Sequence, residues 1–224
     1  MSYFFLLGDN YMKIVLLGGS GYVGKGIIKK LSSYDNIELV SMSRHGGTDA
    51  DKEEWSNVSW LSVDLDKPET WQAEMATADW VIDLIGVLLA KNYNEYYKKT
   101  VKPVLNVIKF IKEHTTNTKF LFVSANYAPV GMGAYMKAKL VLEDELIKQL
   151  GQRAVFVYPG LIYHKKRPSV YVVATVLNNI KKIKPLEKLI EPLRPIAREK
   201  FAVEIKNIVL GGNSYLMYRT KNKE

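Results

Sequence analysis

Three residues of this 224-residue chain combine reactive types with suggestive spacing: Ser124, Tyr135 and Lys139. Tyr135 and Lys139 stand four apart in a stretch with helical periodicity, so both side chains fall on one face. Ser124 ends the apolar stretch before them. A phenol that gives its proton to a carbonyl oxygen, while a reduced nicotinamide gives hydride, is a carbonyl-reducing arrangement. A free phenol ionises near ~10, and an ammonium such as Lys139 beside it is expected to lower that value. Ser124 would hold the substrate oxygen. A tyrosine followed four positions later by lysine also arises by chance in a chain with 14 tyrosines, so an ordinary helix surface is the competing interpretation.

The motif that would position a dinucleotide lies near the start, in Gly18-Gly19-Ser20-Gly21-Tyr22-Val23-Gly24. It sits between an apolar run, Lys13 to Leu17, and a stretch with Val23, Ile27, Ile28 and Leu31 on one helical face. Glycines there permit the tight turn, the approach of backbone to a pyrophosphate and close packing of helix on strand. The helix start then offers N–H groups and a positive dipole end to the phosphates. A glycine-rich turn without a ligand is the alternative. Beyond Gly24, where an acidic side chain would favour NAD, the chain has Ser43-Arg44-His45. A guanidinium pairs with a 2′-phosphate, so NADPH is expected over NADH. Otherwise Arg44 sits in a solvated loop.

The elements needed to hold these residues alternate. Strands are expected over Lys13 to Leu17, Ile37 to Met42, Val58 to Val63, Trp80 to Ile85, Lys119 to Val123 and Ala154 to Tyr158. Helices are expected over Tyr22 to Leu31, Pro68 to Met75, Tyr93 to Glu113 with an interruption at Pro103, and Ala134 to Leu150. This order predicts an α/β fold, a Rossmann-type doubly wound parallel sheet with helices on both faces. Asp64, Gly86, Ser124 and Pro159-Gly160 then all fall at carboxyl ends of strands, the edge where such sheets bind ligands. Asp64 would accept from an adenine amino group with Leu65 beside the ring, or else cap the next helix. The expected cofactor set is Gly18, Ser20, Gly21, Tyr22, Val23, Gly24, Ser43, Arg44, Asp64, Leu65, Gly86, Pro159 and Gly160.

Past Pro159-Gly160 the rhythm changes. Helices are expected at Val170 to Ile183 and Arg198 to Leu210, with turns between Pro185 and Pro195. This divides the chain into an extension over 1–11, a nucleotide-binding domain over 12–165 and a small helical, substrate-side cap over 166–224 packed on that domain. Met12 reads as a start preceded by an upstream segment, with a clipped or membrane-tethering leader as the alternative. The formal charge is +9, yet Lys165 to Lys200 alone carries ten basic against three acidic residues. A basic tail suits an acidic protein, an acidic substrate or an anionic membrane surface, the last through the amphipathic stretch Val170 to Leu189; a solvated lysine-rich face is the plainer account. With no cysteine and only three scattered histidines, no disulfide, thiolate or metal site is expected, and a cytoplasmic location fits. Nothing points to nucleic acid.

The glycine motif, Ser43-Arg44, Val123-Ser124-Ala125, Tyr135-Met136-Lys137-Ala138-Lys139 and Pro159-Gly160 resemble the short-chain dehydrogenase/reductase superfamily. The similarity is to its extended or atypical branch, which is NAD-dependent epimerase/dehydratase-like. That branch holds the group of the NADPH-binding accessory subunit of respiratory complex I. The resemblance covers residues 12–165. It implies a cofactor site on Gly18, Gly21, Gly24 and Arg44, with Tyr135 and Lys139 at the nicotinamide ribose. It implies an NADPH-dependent oxidoreductase acting on a carbonyl or quinone-like small molecule. Some members of the branch bind NADPH without known turnover, so a structural, assembly or sensing module is the alternative.

Overall fold

Apolar runs and helical stripes organise the protein into three layers. A computed structural model describes residues 11–87, 90–127, 131–165, 193 and 195–220. Its chain runs β1 (Met12–Leu17), α1 (Tyr22–Leu31), β2 (Ile37–Ser43), α2 (Asp49–Glu54), β3 (Val58–Ser62), α3 (Gln72–Ala76), β4 (Trp80–Asp83), α4 (Tyr93–Tyr96), α5 (Lys102–His114), β5 (Lys119–Val123), α6 (Gly133–Leu150) and β6 (Ala154–Val157). A short pair, β7 (Ile162–Tyr163) and β8 (Ile196–Ala197), precedes α7 (Arg198–Val209). Six strands pair in the order β3-β2-β1-β4-β5-β6, all parallel.

This order decides where a ligand can go. Winding runs outward from β1 to β3, then jumps back so that β4 lies against β1. The switch opens a crevice above the carboxyl ends of those two strands. Both sheet faces are buried, which is why the strands read as continuous apolar runs. One face packs on α5 and α6 through Val15, Val81, Phe120, Val104, Ile108 and Leu142. The other packs on α1 and α7 through Ile14, Leu16, Ile27, Ile28, Phe201 and Ile205. Each such fully buried side chain contributes about 1.5–3 kcal/mol.

Several elements differ from expectation, each for a local reason. The Tyr93 helix is interrupted without ending: α4 runs through a π-turn, Tyr97–Val101, directly into α5, whose second residue is Pro103. The Pro68 helix splits into a 3-10 turn, Pro68–Thr70, and α3, joined at the buried Trp71. The helix α2, Asp-Ala-Asp-Lys-Glu-Glu, carries no apolar stripe and is held by a capping box between Thr48 and Asp51. The helix expected at Arg198 to Leu210 forms as α7 and covers the sheet beside α1; it is part of the layer under the six-stranded sheet. The expected helix Val170 to Ile183, the basic amphipathic stretch and residues 1–10 lie outside the described residues. Among the described residues, no helix is long and apolar enough to cross a membrane.

Candidate functional site

The glycine loop joins β1 to α1 at the switch point. Gly18 has φ +82°, a conformation that favours glycine, and its N–H donates to Met42 O at 2.7 Å. A Cβ on Gly24 would stand 2.3 Å from Gly19 O, so the first turn of α1 lies directly on the loop. Gly21 caps α1 in extended backbone without a side-chain bond, which leaves the helix start open to an anion. Tyr22 and Val23 are half-buried in that first turn; Val23 packs on the core, and the Arg198 guanidinium lies 5.4 Å over the Tyr22 ring.

At the end of β2 the Ser20 hydroxyl donates to Ser43 Oγ at 2.9 Å, and Ser43 Oγ donates onward to Gly46 O at 2.9 Å. This relay ties the glycine loop to the turn that carries Arg44. Arg44 itself is exposed; its carbonyl accepts from Ser62 Oγ at 2.9 Å, and its guanidinium has no ion pair among the described residues. After β3, Asp64 Oδ1 accepts from Asp66 N at 3.0 Å, so the side chain closes an Asx turn. Leu65 is buried in the core at 8% exposure, and its carbonyl accepts from Asn106 Nδ2 at 3.0 Å.

Over β4 and β5, Asp83 ends its strand fully buried, while Gly86 beyond it is exposed. Lys139, reaching in from α6, is also buried; its Nζ donates to Val123 O at 2.7 Å and stands 3.7 Å from where a Cβ on Gly86 would be. Burial pushes the lysine pKa down, against the pull of Asp83 and Glu143. The Tyr135 ring instead meets Tyr96 edge-on at 6.0 Å. Burial and then Tyr96 push its phenol up to about 12, the opposite of the lowering expected from Lys139. The lysine ammonium, for its part, is bonded to Val123 O.

Ser124 is also turned away from the expected role. Its Oγ donates to Glu143 Oε1, which accepts from Arg219 Nη2 at 2.6 Å as well. The segment after the last 3-10 turn (Tyr215–Met217) thus returns to the end of β5. Thr220 and Asn126 exchange two hydrogen bonds, Asn126 Nδ2 to Thr220 Oγ1 at 2.7 Å and Thr220 N to Asn126 Oδ1 at 2.9 Å. Pro159 is buried with its carbonyl taken by Asn126 N at 3.0 Å, and Gly160 is half-buried beside it.

The model of the NAD dependent epimerase/dehydratase family matches residues 14–148, from β1 into α6. The chain belongs to this family. It is 28% identical over 204 residues to an uncharacterized chloroplastic protein of Arabidopsis thaliana, covering 88% of this chain and 65% of that relative. Two solved structures share its fold. One is a short-chain dehydrogenase family protein from Francisella tularensis, at TM-score 0.59 and 16% identity over 92% of this chain and 91% of that one. The other is the Bordetella bronchiseptica enzyme WbmF in complex with NAD+ and UDP, at TM-score 0.60 and 14% identity over 88% and 68%.

Within this epimerase/dehydratase frame, the structure gathers Gly18, Ser20, Gly21, Gly24, Ser43, Arg44, Gly86 and Lys139 around one edge. It sets the Tyr135 ring against Tyr96, bonds the Lys139 ammonium to Val123 O and ties Ser124 to Glu143. Asp83, Glu143, Asn126 and Arg219 were missed by sequence reasoning. Glu143 follows Tyr135 and Lys139 at a further spacing of four, and Asp83 is the one charged residue in Trp-Val-Ile-Asp, so both left a signal. Arg219 left none.

Asp83 also predicts a pH dependence. Burial pushes its carboxyl from 3.8 up to about 6, partly offset by Lys139 and by the Ile85 N–H. A carboxyl with a raised folded pKa binds more protons folded than unfolded. Its contribution is therefore most favourable below ~4 and is lost as pH rises through about 6. Asp83→Asn is expected to flatten the pH profile by on the order of 2–3 kcal/mol across that window, while absolute stability falls because Lys139 loses its counter-charge. Urea denaturation at pH 4, 5, 6 and 7 checks it; an unchanged slope would refute the assignment.

Proposed function

We propose that this family member binds a nicotinamide dinucleotide along the carboxyl ends of β1, β2, β4 and β5. NADPH is the preferred form, used to reduce a carbonyl or quinone-like small molecule. The observation that carries the reading is the glycine cradle at the uncapped start of α1, coupled through Ser20 and Ser43 to the turn bearing the exposed Arg44. A Cβ at Gly19 would stand 2.4 Å from Ser41 Oγ and one at Gly24 2.3 Å from Gly19 O, so these glycines let the loop, β2 and the start of α1 pack tightly. That packing would hold the free N–H groups of the helix start in place for a pyrophosphate. Gly18 to Gly24 would hold the phosphates, Ser43 and Arg44 the adenosine ribose, and Gly86, Lys139 and the Pro159-Gly160 turn the nicotinamide half. The bound dinucleotide would supply hydride. Tyr135 would give the proton, after a rotation that brings its phenol toward Lys139.

A second reading is binding without turnover, in a structural, assembly or sensing role. It is favoured by the Ser124 hydroxyl being spent on Glu143 and by burial and Tyr96 pushing the Tyr135 phenol up to about 12.

Calorimetric titration with NADPH and NADH, alongside Arg44→Ala, tests the core of the proposal. Loss of a charge-assisted contact to the 2′-phosphate is expected to weaken NADPH by about ten- to a hundredfold and to leave NADH unchanged. No binding of either nucleotide would overturn the reading. Offering NADPH with aldehydes or quinones then separates the two roles: oxidation that Tyr135→Phe abolishes supports the reductase, and no oxidation supports the module.

A further inference from the structure

Near the ends of β4 and β5 lie the buried Asp83, Lys139 and Glu143 and the partly exposed Arg219. Asp83 and Phe122 are cross-strand partners in the β4–β5 register. Lys139 Nζ lies 4.6 Å over the Phe122 ring, beside that position, at 5% exposure for the whole residue. An ammonium so placed is tolerable only with a counter-charge. Two carboxylates act on it, Asp83 and Glu143. Glu143, however, already takes Arg219 at 2.6 Å and the Ser124 hydroxyl on the same oxygen. Asp83 is left as the counter-ion of Lys139.

The Asp83 side chain has its own unbalanced feature. Its Oδ1 accepts from Ile85 N at 2.8 Å, whereas Oδ2 is buried and no donor among the described residues reaches it. A buried acceptor without a partner is costly and rare. The cation that acts on this carboxylate is the Lys139 ammonium, which gives one N–H to Val123 O and has others to give. The same ammonium faces the exposed Gly86, on the ligand edge of the sheet.

We propose that Asp83 is a positioning residue of the dinucleotide site: it is the counter-ion that keeps Lys139 charged and docked beneath Gly86, facing the nicotinamide-ribose half of the ligand. This rests on the dinucleotide reading above. Asp83 touches no ligand itself, being fully buried. Its effect passes through Lys139 and is confined to one half of the dinucleotide.

The test compares NADPH with adenosine 2′,5′-bisphosphate, which carries only the adenosine half. Asp83→Asn is expected to weaken NADPH by about tenfold and to change the bisphosphate by less than about twofold. In a Lys139→Met background the same substitution is expected to change NADPH by less than about twofold, because the partner is gone. Equal losses for both ligands, an undiminished loss in the Lys139→Met background, or no loss at all would overturn the proposal. If Asp83→Asn alone does not fold, the double variant, which buries no unpaired charge, is compared with Lys139→Met; a further loss of NADPH affinity there overturns it too. Wild-type protein that binds neither compound removes the dinucleotide reading and this proposal together. Wild-type protein that binds both, with Asp83→Asn indistinguishable from it, removes this proposal alone.

Discussion

Gly24→Ala is expected to destabilise the fold by roughly 1–3 kcal/mol and to weaken dinucleotide binding on the order of a hundredfold. By helix propensity alone the change should stabilise, since alanine exceeds glycine by about 1 kcal/mol in a helix interior. Packing reverses the sign. The new Cβ would stand 2.3 Å from Gly19 O and 2.6 Å from Gly19 C and Cα, all backbone atoms of the loop under the helix. None can swing aside as a side chain can, so α1 must lift from the loop. Lifting it removes the N–H groups of the first turn from the position a pyrophosphate would occupy, and a hundredfold loss, about 2.7 kcal/mol, corresponds to one to two charge-assisted hydrogen bonds at about 1.5–3 kcal/mol each. Gly26→Ala is the internal control. Its Cβ would meet Arg198 Cγ at 2.7 Å, a flexible side chain on α7, so a smaller stability change and unchanged binding are expected. Urea denaturation and calorimetric titration of both variants check this. Equal binding losses would show that α1 responds as a rigid whole and that the loop contact is not special.

That contrast rests on information only partly present in the chain. The six strands and their helices were legible because strands buried on both faces leave short apolar runs, and helices over them leave stripes such as Val104, Val107, Ile108 and Ile111. The glycine loop was legible because its neighbours supplied the strand and helix it must join. The helix α2 was not, since its stability comes from a Thr48–Asp51 box and a Lys25–Asp51 ion pair at 2.6 Å rather than from an apolar face. Nor were β7 and β8, two residues each, paired across more than thirty positions. At the site, residue types were readable and their directions were not. Spacing placed Tyr135 and Lys139 on one face of α6, but Val123 O decides where the ammonium points. Spacing put Ser124 at a strand end, but a carboxylate on α6 and a guanidinium 76 positions beyond it claim the hydroxyl's neighbourhood.

Removing that guanidinium should have the largest stability cost at the site. Arg219→Met is expected to destabilise the protein by about 2–4 kcal/mol, because it leaves Glu143, with a side chain 7% exposed, without the cation bonded to it. The estimate sits at the lower part of the range for a broken buried pair, since the Arg219 side chain is 33% exposed and its Nε is itself buried without a partner among the described residues. Lys139 cannot take over the role, because Asp83 already balances it. Loss of the guanidinium over the Tyr158 ring, at 4.4 Å, adds on the order of 0.5–1 kcal/mol. Two contributions can be told apart by a second substitution. Arg219→Met with Glu143→Leu removes both charges, and replacing a buried pair by apolar groups is often neutral. Most of the single-variant loss should therefore return, while the stacking on Tyr158 and the Ser124 bond stay lost. Urea denaturation of the wild type, both singles and the double gives the coupling directly. Additive losses would mean that the pair holds the Tyr218–Thr220 segment by packing alone, and that Glu143 is served by Ser124 without Arg219.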